Sequence, residues 1–307
     1  DWDVSKSKEA TNLDGNYESQ VTLSLPAAEE QLVSDVVFVL DKSTSTDLED
    51  EALSMLKSLQ EQVKNTNAKV KVGVVIFNKI ANVTELKDLE TQYDEIEAAI
   101  RQKISSGTNI HAGILAGKQL LDGDTSVDDS RKYMIFVSDG ISYLYCKDDE
   151  PAKAYTVSVL NGGNDGEGSG NCKPCEAAEC YDIKYGQSYV PEDWNAWMER
   201  KKKKVGVTTY DYEYGKGPTE MDSEGSVPYK ERAGYAINVD KYLYYSYQLY
   251  KECAQQYNVY AMKASDNNYY PYGASFMEWL MDGKRVDFEK IENDIYYLLD
   301  SGSAVID

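Results

Sequence analysis

The feature that most constrains the fold is a series of short apolar segments separated by segments with helical periodicity. Asp35 to Leu40, Val70 to Phe77 and Tyr133 to Val137 are largely apolar on both sides of a strand. Such strands are typical of parallel sheets covered on both faces, because neither face meets water. Between the first two, apolar residues from Leu48 to Val63 recur at helical spacing. The order predicts an α/β fold with a doubly wound, mostly parallel central sheet flanked by helices.

Two stretches fall outside this alternation. We expect residues 1–27 to form an N-terminal extension with one strand, Tyr17 to Leu25, because its residues alternate as a strand does. Residues 142–237 are rich in cysteine and tyrosine and interrupt the pattern. They predict a large insertion after the strand that ends at Asp139, within a main domain of residues 28–307.

The charge of the chain argues against two classes of partner. It has 32 Lys and Arg against 53 Asp and Glu, a net charge of −21. Such a surface repels phosphate backbones and anionic lipids, so we expect no nucleic-acid partner and no membrane-surface role. No apolar run approaches the roughly 18 residues that a membrane span needs. Because the chain starts at Asp1 and not at Met, we interpret it as a processed or excised piece of a longer protein.

Three polar segments lie where predicted strands end or a helix begins. They are Asp41-Lys42-Ser43-Thr44-Ser45, Ser106-Gly107-Thr108-Asn109 and Ser138-Asp139-Gly140. In an open α/β sheet, ligands bind outside the carboxyl ends of the strands, where these segments are expected to meet. Hydroxyl and carboxylate oxygens suit a hard divalent cation. We therefore predict a metal site with five ligand residues: Asp41, Ser43, Ser45, Thr108 and Asp139. Helix capping alone would explain the first segment but leaves Thr108 and Asp139 unexplained.

The order D-x-S-x-S, then a Thr, then an Asp resembles the metal-ion-dependent adhesion site of von Willebrand factor A (vWA) domains. The resemblance covers roughly Asp35 to Ile306. It implies the Rossmann-like vWA fold and a divalent cofactor, Mg²⁺ first, with Mn²⁺ or Ca²⁺ as alternatives. It also implies that the Ser and Thr residues bind the metal directly, with the Asp residues often acting through water. Thr44 and Thr46 stand where the family often has Gly and Met, at positions that are not ligands.

The N-terminal strand and the insertion narrow the resemblance to vWA domains of Gram-positive surface proteins, such as pilus-tip adhesins. This implies an extracellular place on the bacterial cell wall or pilus, and neighbouring domains in the parent protein. The expected function is metal-dependent adhesion, in which the metal coordinates an acidic group of a host or matrix protein or glycan. The alternative is an intracellular vWA scaffold for metal-dependent protein assembly. We expect no enzymatic activity, because only His111 stands near the metal segments as a candidate base.

The five cysteines support two interpretations of the insertion. Cys146, Cys172, Cys175 and Cys180 would form at least one disulfide outside the cell, or would bind zinc together. Cys253 falls on the apolar side of its predicted helix, so we expect a buried free thiol.

The insertion also carries many tyrosines, which would form either a recognition surface or the core of an extra element. The run Lys201 to Lys204 is expected to be a solvated helix end.

Overall fold

The computed structural model describes residues 7–10, 21–24, 33–43, 48–64, 68–104, 107–147, 149–161, 172–173, 183, 189–202, 210–213, 235–237, 239–264 and 270–282. The described strands are β1 (Ser7–Ala10), β2 (Val21–Ser24), β3 (Val33–Asp41), β4 (Lys69–Phe77), β5 (Ala81–Asp88), β6 (Lys132–Ser138), β7 (Tyr145–Cys146), β8 (Ala154–Asn161), β9 (Cys172–Lys173), β10 (Tyr210–Glu213), β11 (Tyr235–Ile237) and β12 (Asn258–Lys263). The described α-helices are α1 (Leu48–Val63), α2 (Tyr93–Arg101), α3 (Ile110–Gly123), α4 (Trp194–Lys201), α5 (Val239–Gln256) and α6 (Pro271–Leu280).

The central sheet has the strand order β12-β6-β3-β4-β5. Its first four strands are parallel, and the edge strand β5 is antiparallel to β4. The chain leaves β3 toward β4 through α1, and it returns across the sheet through α3 to β6 on the other side of β3. The strand order therefore reverses between β3 and β6, which confirms the predicted doubly wound, mostly parallel sheet.

Alternate residues of β3, the central strand, pack on opposite faces of the sheet. Val36, Phe38 and Leu40 join a buried cluster with residues of α1 and α2, whereas Val37 and Val39 join one with residues of α3, α5 and α6. All five side chains are at most 4% exposed. Helices on both faces explain why the strand is apolar throughout.

The segment between β6 and α5 adds a second sheet with the strand order β10-β8-β11, in which β7 and β9 also pair with β8. Its helix α4 contributes Trp194, Trp197 and Met198 to the same buried cluster that covers the α3 face of the central sheet. Tyr145 and Tyr242 belong to that cluster too, with ring centroids 6.0 Å apart. For these two tyrosines, the prediction that they form the core of an extra element is correct, and the alternative of a recognition surface is wrong.

One lysine of the predicted solvated run is buried. Lys201 is 3% exposed and forms an ion pair with Asp240 of α5, which is 2% exposed. Its ammonium group also lies 5.4 Å from the centre of the Trp197 ring. The expectation of a solvated helix end is therefore wrong for Lys201 and holds for the exposed Lys202. A buried charge needs a partner of opposite sign, which here comes from a helix distant in sequence.

In the N-terminal extension, β2 lies within the predicted strand, and it pairs with β1, a strand that the sequence did not predict. Phe288, Ile291, Ile295, Leu298 and Leu299 recur at helical spacing and predict a further helix, which lies outside the described residues. Among the described helices, none is both long enough and apolar enough to cross a bilayer.

Candidate metal centre

Four of the five predicted ligand residues lie within the described part of the chain. Asp41 ends β3, and Asp139 directly follows the neighbouring parallel strand β6, so both carboxylates reach one edge of the sheet. Asp41, Asp139 and Thr108 are 3%, 1% and 5% exposed. Ser43 follows Asp41 closely, and Ser45 lies outside the described residues. The edge is the crevice where the strand order reverses, as the sequence predicts.

Hydrogen bonds hold both oxygens of the Asp41 carboxylate. Oδ1 accepts from the backbone amide of Ser43 at 2.9 Å and from the Ser43 hydroxyl. Oδ2 accepts from the hydroxyl of Ser138 at 2.6 Å. A hydroxyl that donates to a carboxylate keeps its lone pairs for another partner. The Ser43 oxygen therefore remains available to a cation.

Thr108 lies in the loop that leads into α3. Its hydroxyl donates to the carbonyl oxygen of Ile141 at 2.6 Å, and the Ile141 amide in turn donates to Asp139 Oδ1 at 3.0 Å. The Thr108 carbonyl accepts from the hydroxyl of Ser142 at 3.4 Å. These contacts bring the Thr108 and Asp139 loops together, and they leave the lone pairs of the Thr108 hydroxyl free to bind a cation.

Asn109 anchors the Thr108 loop from the other side. Its Oδ1 accepts from the backbone amide of Ala112 at 3.0 Å and so caps α3. Its Nδ2 donates to the carbonyl oxygen of Lys79 at 2.9 Å and contacts Cys146 Sγ at 3.6 Å. Asn109 is completely buried. One side chain thus ties the candidate ligand Thr108 to the β4–β5 turn and to the insertion.

The electrostatics of the site favour a bound cation. Burial, and then the charge of Asp41, raise the pKa of Asp139 from 3.8 to about 7. Burial also raises the pKa of Asp41, against the hydrogen bonds from Ser138 and Ser43. Among the described residues, no lysine or arginine forms an ion pair with either carboxylate, and Lys42 pairs with Glu49. Two buried carboxylates with nearby hydroxyl oxygens fit a hard divalent cation.

His111 is committed to a structural contact. Its Nδ1 accepts from the backbone amide of Cys146 at 3.1 Å, and its ring lies 6.3 Å from those of Tyr145 and Tyr245. Burial lowers the pKa of His111 to about 4, so it is neutral at pH 7. The imidazole therefore joins α3 to β7.

Two of the five cysteines have described side chains, and both are buried free thiols. The prediction for Cys253 is confirmed. Cys146 contacts Asn109 and packs against Ala112 and Leu115, so it takes no part in a disulfide. A disulfide among the other three cysteines lies outside the described side chains and stays a prediction.

Sequence reasoning missed the roles of Ser138, Asn109 and Ser142. Ser138 and Asn109 lie within the polar segments, but the metal-site motif assigns them no function. The available signal was their polarity at positions that end a buried strand or precede a helix. Their partners could not be read from sequence, because Ser138 and Asp41 are 97 residues apart.

The loop after Asp139 requires a glycine. Gly140 has a φ of +77°, and a Cβ built there would lie 2.0 Å from the carbonyl oxygen of Gly273 in α6. We expect Gly140→Ala to lower the free energy of unfolding by about 2–4 kcal/mol, because both the left-handed backbone and the overlap with the α6 backbone cost energy. Urea unfolding measures the change.

Gly123→Ala is the matched control for this substitution. Gly123 ends α3, and a Cβ there meets no atom within 4 Å. Alanine is a better helix former, so this variant should change stability by less than about 1 kcal/mol, in the stabilising direction. Equal losses in the two variants would contradict the proposed overlap at Gly140.

The fold and the crevice together define a doubly wound α/β domain with an oxygen-lined site at its switch point. Residues 36–141 match the family model of the von Willebrand factor type A domain. This match agrees with the resemblance that the motifs indicated, and the matched part of the chain contains every described candidate ligand. No curated protein sequence matches the chain.

Solved structures of pilus proteins are among those similar to this chain. The pilus adhesin SpaC of Lactobacillus rhamnosus GG has 15% identity and a TM-score of 0.48, over 97% of this chain and 34% of that one. The minor pilin PilB of Streptococcus sanguinis has 14% identity and a TM-score of 0.45, over 97% of this chain and 77% of that one. The von Willebrand factor domain of the pilus tip protein Mfa5 of Porphyromonas gingivalis has 14% identity and a TM-score of 0.44, over 91% of this chain and 99% of that one. The chain spans about a third of the length of the SpaC structure.

Proposed function

We propose that this domain binds a divalent metal ion at the β3–β6 crevice and uses it to hold an acidic group of a protein or glycan ligand. The observation that carries the proposal is the pair of buried carboxylates, Asp41 and Asp139, beside two hydroxyls: that of Ser43 donates its proton to Asp41, and that of Thr108 donates to the Ile141 carbonyl. No described cationic side chain neutralises the pair. A site of this composition selects a hard cation, with Mg²⁺ first and Mn²⁺ or Ca²⁺ as alternatives.

Each residue has a distinct task in this proposal. The hydroxyls of Ser43 and Thr108 bind the ion, together with that of Ser45, which the sequence motif supplies. Asp41 and Asp139 balance its charge, directly or through water. When bound, the ion supplies an electron-poor centre with a coordination position for a ligand carboxylate. Because the groups proposed to contact the ion directly are mostly neutral hydroxyls, the ion would still attract a ligand carboxylate strongly.

We propose binding without catalysis. The only histidine of the chain, His111, already uses Nδ1 to accept a backbone hydrogen bond, and it is neutral at pH 7. The resemblance to pilus-tip adhesin domains leads us to place the domain outside the cell, on the wall or a pilus of a bacterium. It would act there as one part of a longer protein that adheres to host or matrix ligands.

A carboxylate probe tests the proposed chemistry. In the presence of the Mn²⁺-loaded protein, we expect faster proton relaxation for glutarate than for glutaramide, because only the carboxylate binds the paramagnetic ion. NMR relaxation measures the difference. Equal relaxation of the two probes with Mn²⁺ bound to the protein would contradict carboxylate recognition.

Titration of two threonine variants with Mn²⁺ tests the site assignment. Thr108→Val keeps the shape of the side chain but removes its oxygen, and we expect Mn²⁺ affinity to fall by at least about tenfold. Thr84→Val, on the half-buried edge strand β5, is the matched control and should leave affinity unchanged. Unchanged affinity in Thr108→Val would remove Thr108 from the site.

A further inference from the structure

Ser138 connects two of the three segments that form the metal site. It is the last residue of β6 and is completely buried. Its hydroxyl donates to Asp41 Oδ2 at 2.6 Å and accepts from the backbone amide of Gly140 at 3.0 Å. One oxygen atom therefore joins the carboxylate at the end of β3 to the loop that carries Asp139.

We propose that Ser138 is a positioning residue of the metal site, which fixes the orientation of the Asp41 carboxylate and the course of the Asp139 loop. This inference rests on the proposed metal-binding function and assigns a role outside the five predicted ligand residues. Ser138 uses its proton and one of its two lone pairs within the protein, and its proposed action on the ion is through Asp41 and Asp139.

The role follows from how the Asp41 carboxylate is held. Oδ1 takes its two hydrogen bonds from Ser43, which directly follows β3 and lies two residues away. The bond to Oδ2 comes from Ser138 on the neighbouring strand, and the backbone amide of Asp139, the next residue, also donates to the carboxylate. Rotation of the carboxylate about its Cβ–Cγ bond would break the contacts of both oxygens together. Ser138 therefore sets the direction in which the remaining lone pairs of Asp41 point.

The second contact of Ser138 shapes the loop of Asp139. The Ser138 hydroxyl accepts a hydrogen bond from the backbone amide of Gly140. Gly140 has a φ of +77° and lies in a turn against the backbone of α6. The next amide along the chain, that of Ile141, donates to Asp139 Oδ1 at 3.0 Å. The loop is thus fixed at Gly140 by Ser138 and at Ile141 by the candidate ligand. Partners that orient metal ligands typically change metal affinity by about 10–100-fold when they are removed.

A pair of isosteric substitutions tests this role. Ser138→Thr and Ser138→Val add the same bulk to a buried position, but only threonine keeps the hydroxyl. We expect Mn²⁺ affinity, measured by calorimetry on the folded protein, to be at least about tenfold weaker in the valine variant than in the threonine variant. Ser138→Ala, which adds no atom, should show a similar loss relative to the wild type.

Ser34→Ala is the matched control. Ser34 is a buried serine near the other end of the neighbouring strand β3, and its hydroxyl has no hydrogen-bond partner among the described residues. This variant should bind Mn²⁺ as the wild type does. A thermal melt of each metal-free variant separates stability from affinity, because a merely structural Ser138 would lower the melting temperature and leave affinity unchanged.

The outcomes separate a failure of the positioning role from a failure of the metal site. Equal Mn²⁺ affinity in the threonine and valine variants, with alanine also unchanged, would overturn the positioning role while the metal site stands. A wild-type protein that binds no divalent ion would overturn the proposed function itself.

Discussion

Replacing Asp41 with asparagine is expected to weaken Mg²⁺ binding by at least about 100-fold, a larger loss than for a residue that only orients a ligand. The substitution removes one of the two buried negative charges that attract the ion. Asparagine also offers a single acceptor oxygen where the carboxylate accepts hydrogen bonds at both oxygens, so the hold on Ser43 and Ser138 weakens as well. Calorimetric titration with Mg²⁺ measures the change.

Asp35→Asn provides a matched control on the same strand. Asp35 is also completely buried, but it lies near the start of β3, where it contacts Lys71 at 3.1 Å. Lys71 keeps its second partner, Asp124, in this variant. We expect Asp35→Asn to leave Mg²⁺ affinity unchanged. If both variants lost affinity equally, the loss would report a general weakening of the strand and not a metal site at Asp41.

Metal affinity should also depend steeply on pH. The pKa of Asp139 is raised to about 7, so below that value the metal-free site holds a proton that the ion must displace. Mg²⁺ affinity is therefore expected to rise by about tenfold per pH unit up to about pH 7 and to level off above it, for one proton released. Calorimetry in buffers of different ionisation enthalpy measures the released proton. Binding with no proton release at pH 6 would contradict the raised pKa.

The same raised pKa has the opposite consequence for the metal-free fold. The folded protein binds a proton at Asp139 more tightly than the unfolded chain, whose aspartate has a pKa near 3.8. This contribution to stability is complete below pH 3.8 and is lost as pH rises toward 7, by at most about 1.4 kcal/mol per pH unit for one proton. Excess Mg²⁺ should reverse the loss.

Asp139→Asn tests this contribution, because burial also raises the pKa of Asp35, to about 6, and that of Asp41, and both give the wild type further dependences of the same sign. Both proteins contain Asp35 and Asp41, so the difference between their melting curves in chelator reports Asp139 together with its interaction with Asp41. A difference that stays constant from pH 4 to pH 8 would contradict the assignment.

Local patterns in the sequence were sufficient for the central elements. Helix α1 spans Leu48–Val63, as its spacing predicts, and β3, β4 and β6 lie within two residues of their predicted bounds. Periodicity succeeds here because each element buries its own apolar residues against the sheet. The three polar segments could likewise be placed at one edge, because the carboxyl ends of parallel strands meet there.

The tertiary structure alone decided which side chains hold these segments in place. The Ser138 hydroxyl reaches Asp41 across 97 residues, and Asn109 reaches Cys146 across 37. The burial of Lys201 beside Asp240 has the same origin, since its partner lies on another helix. Hydrogen bonds and ion pairs of this kind depend on distances between strands and helices that chain neighbours do not determine. The sequence therefore determined the residue types at the site, whereas packing of the two sheets and their helices determined the partner of each.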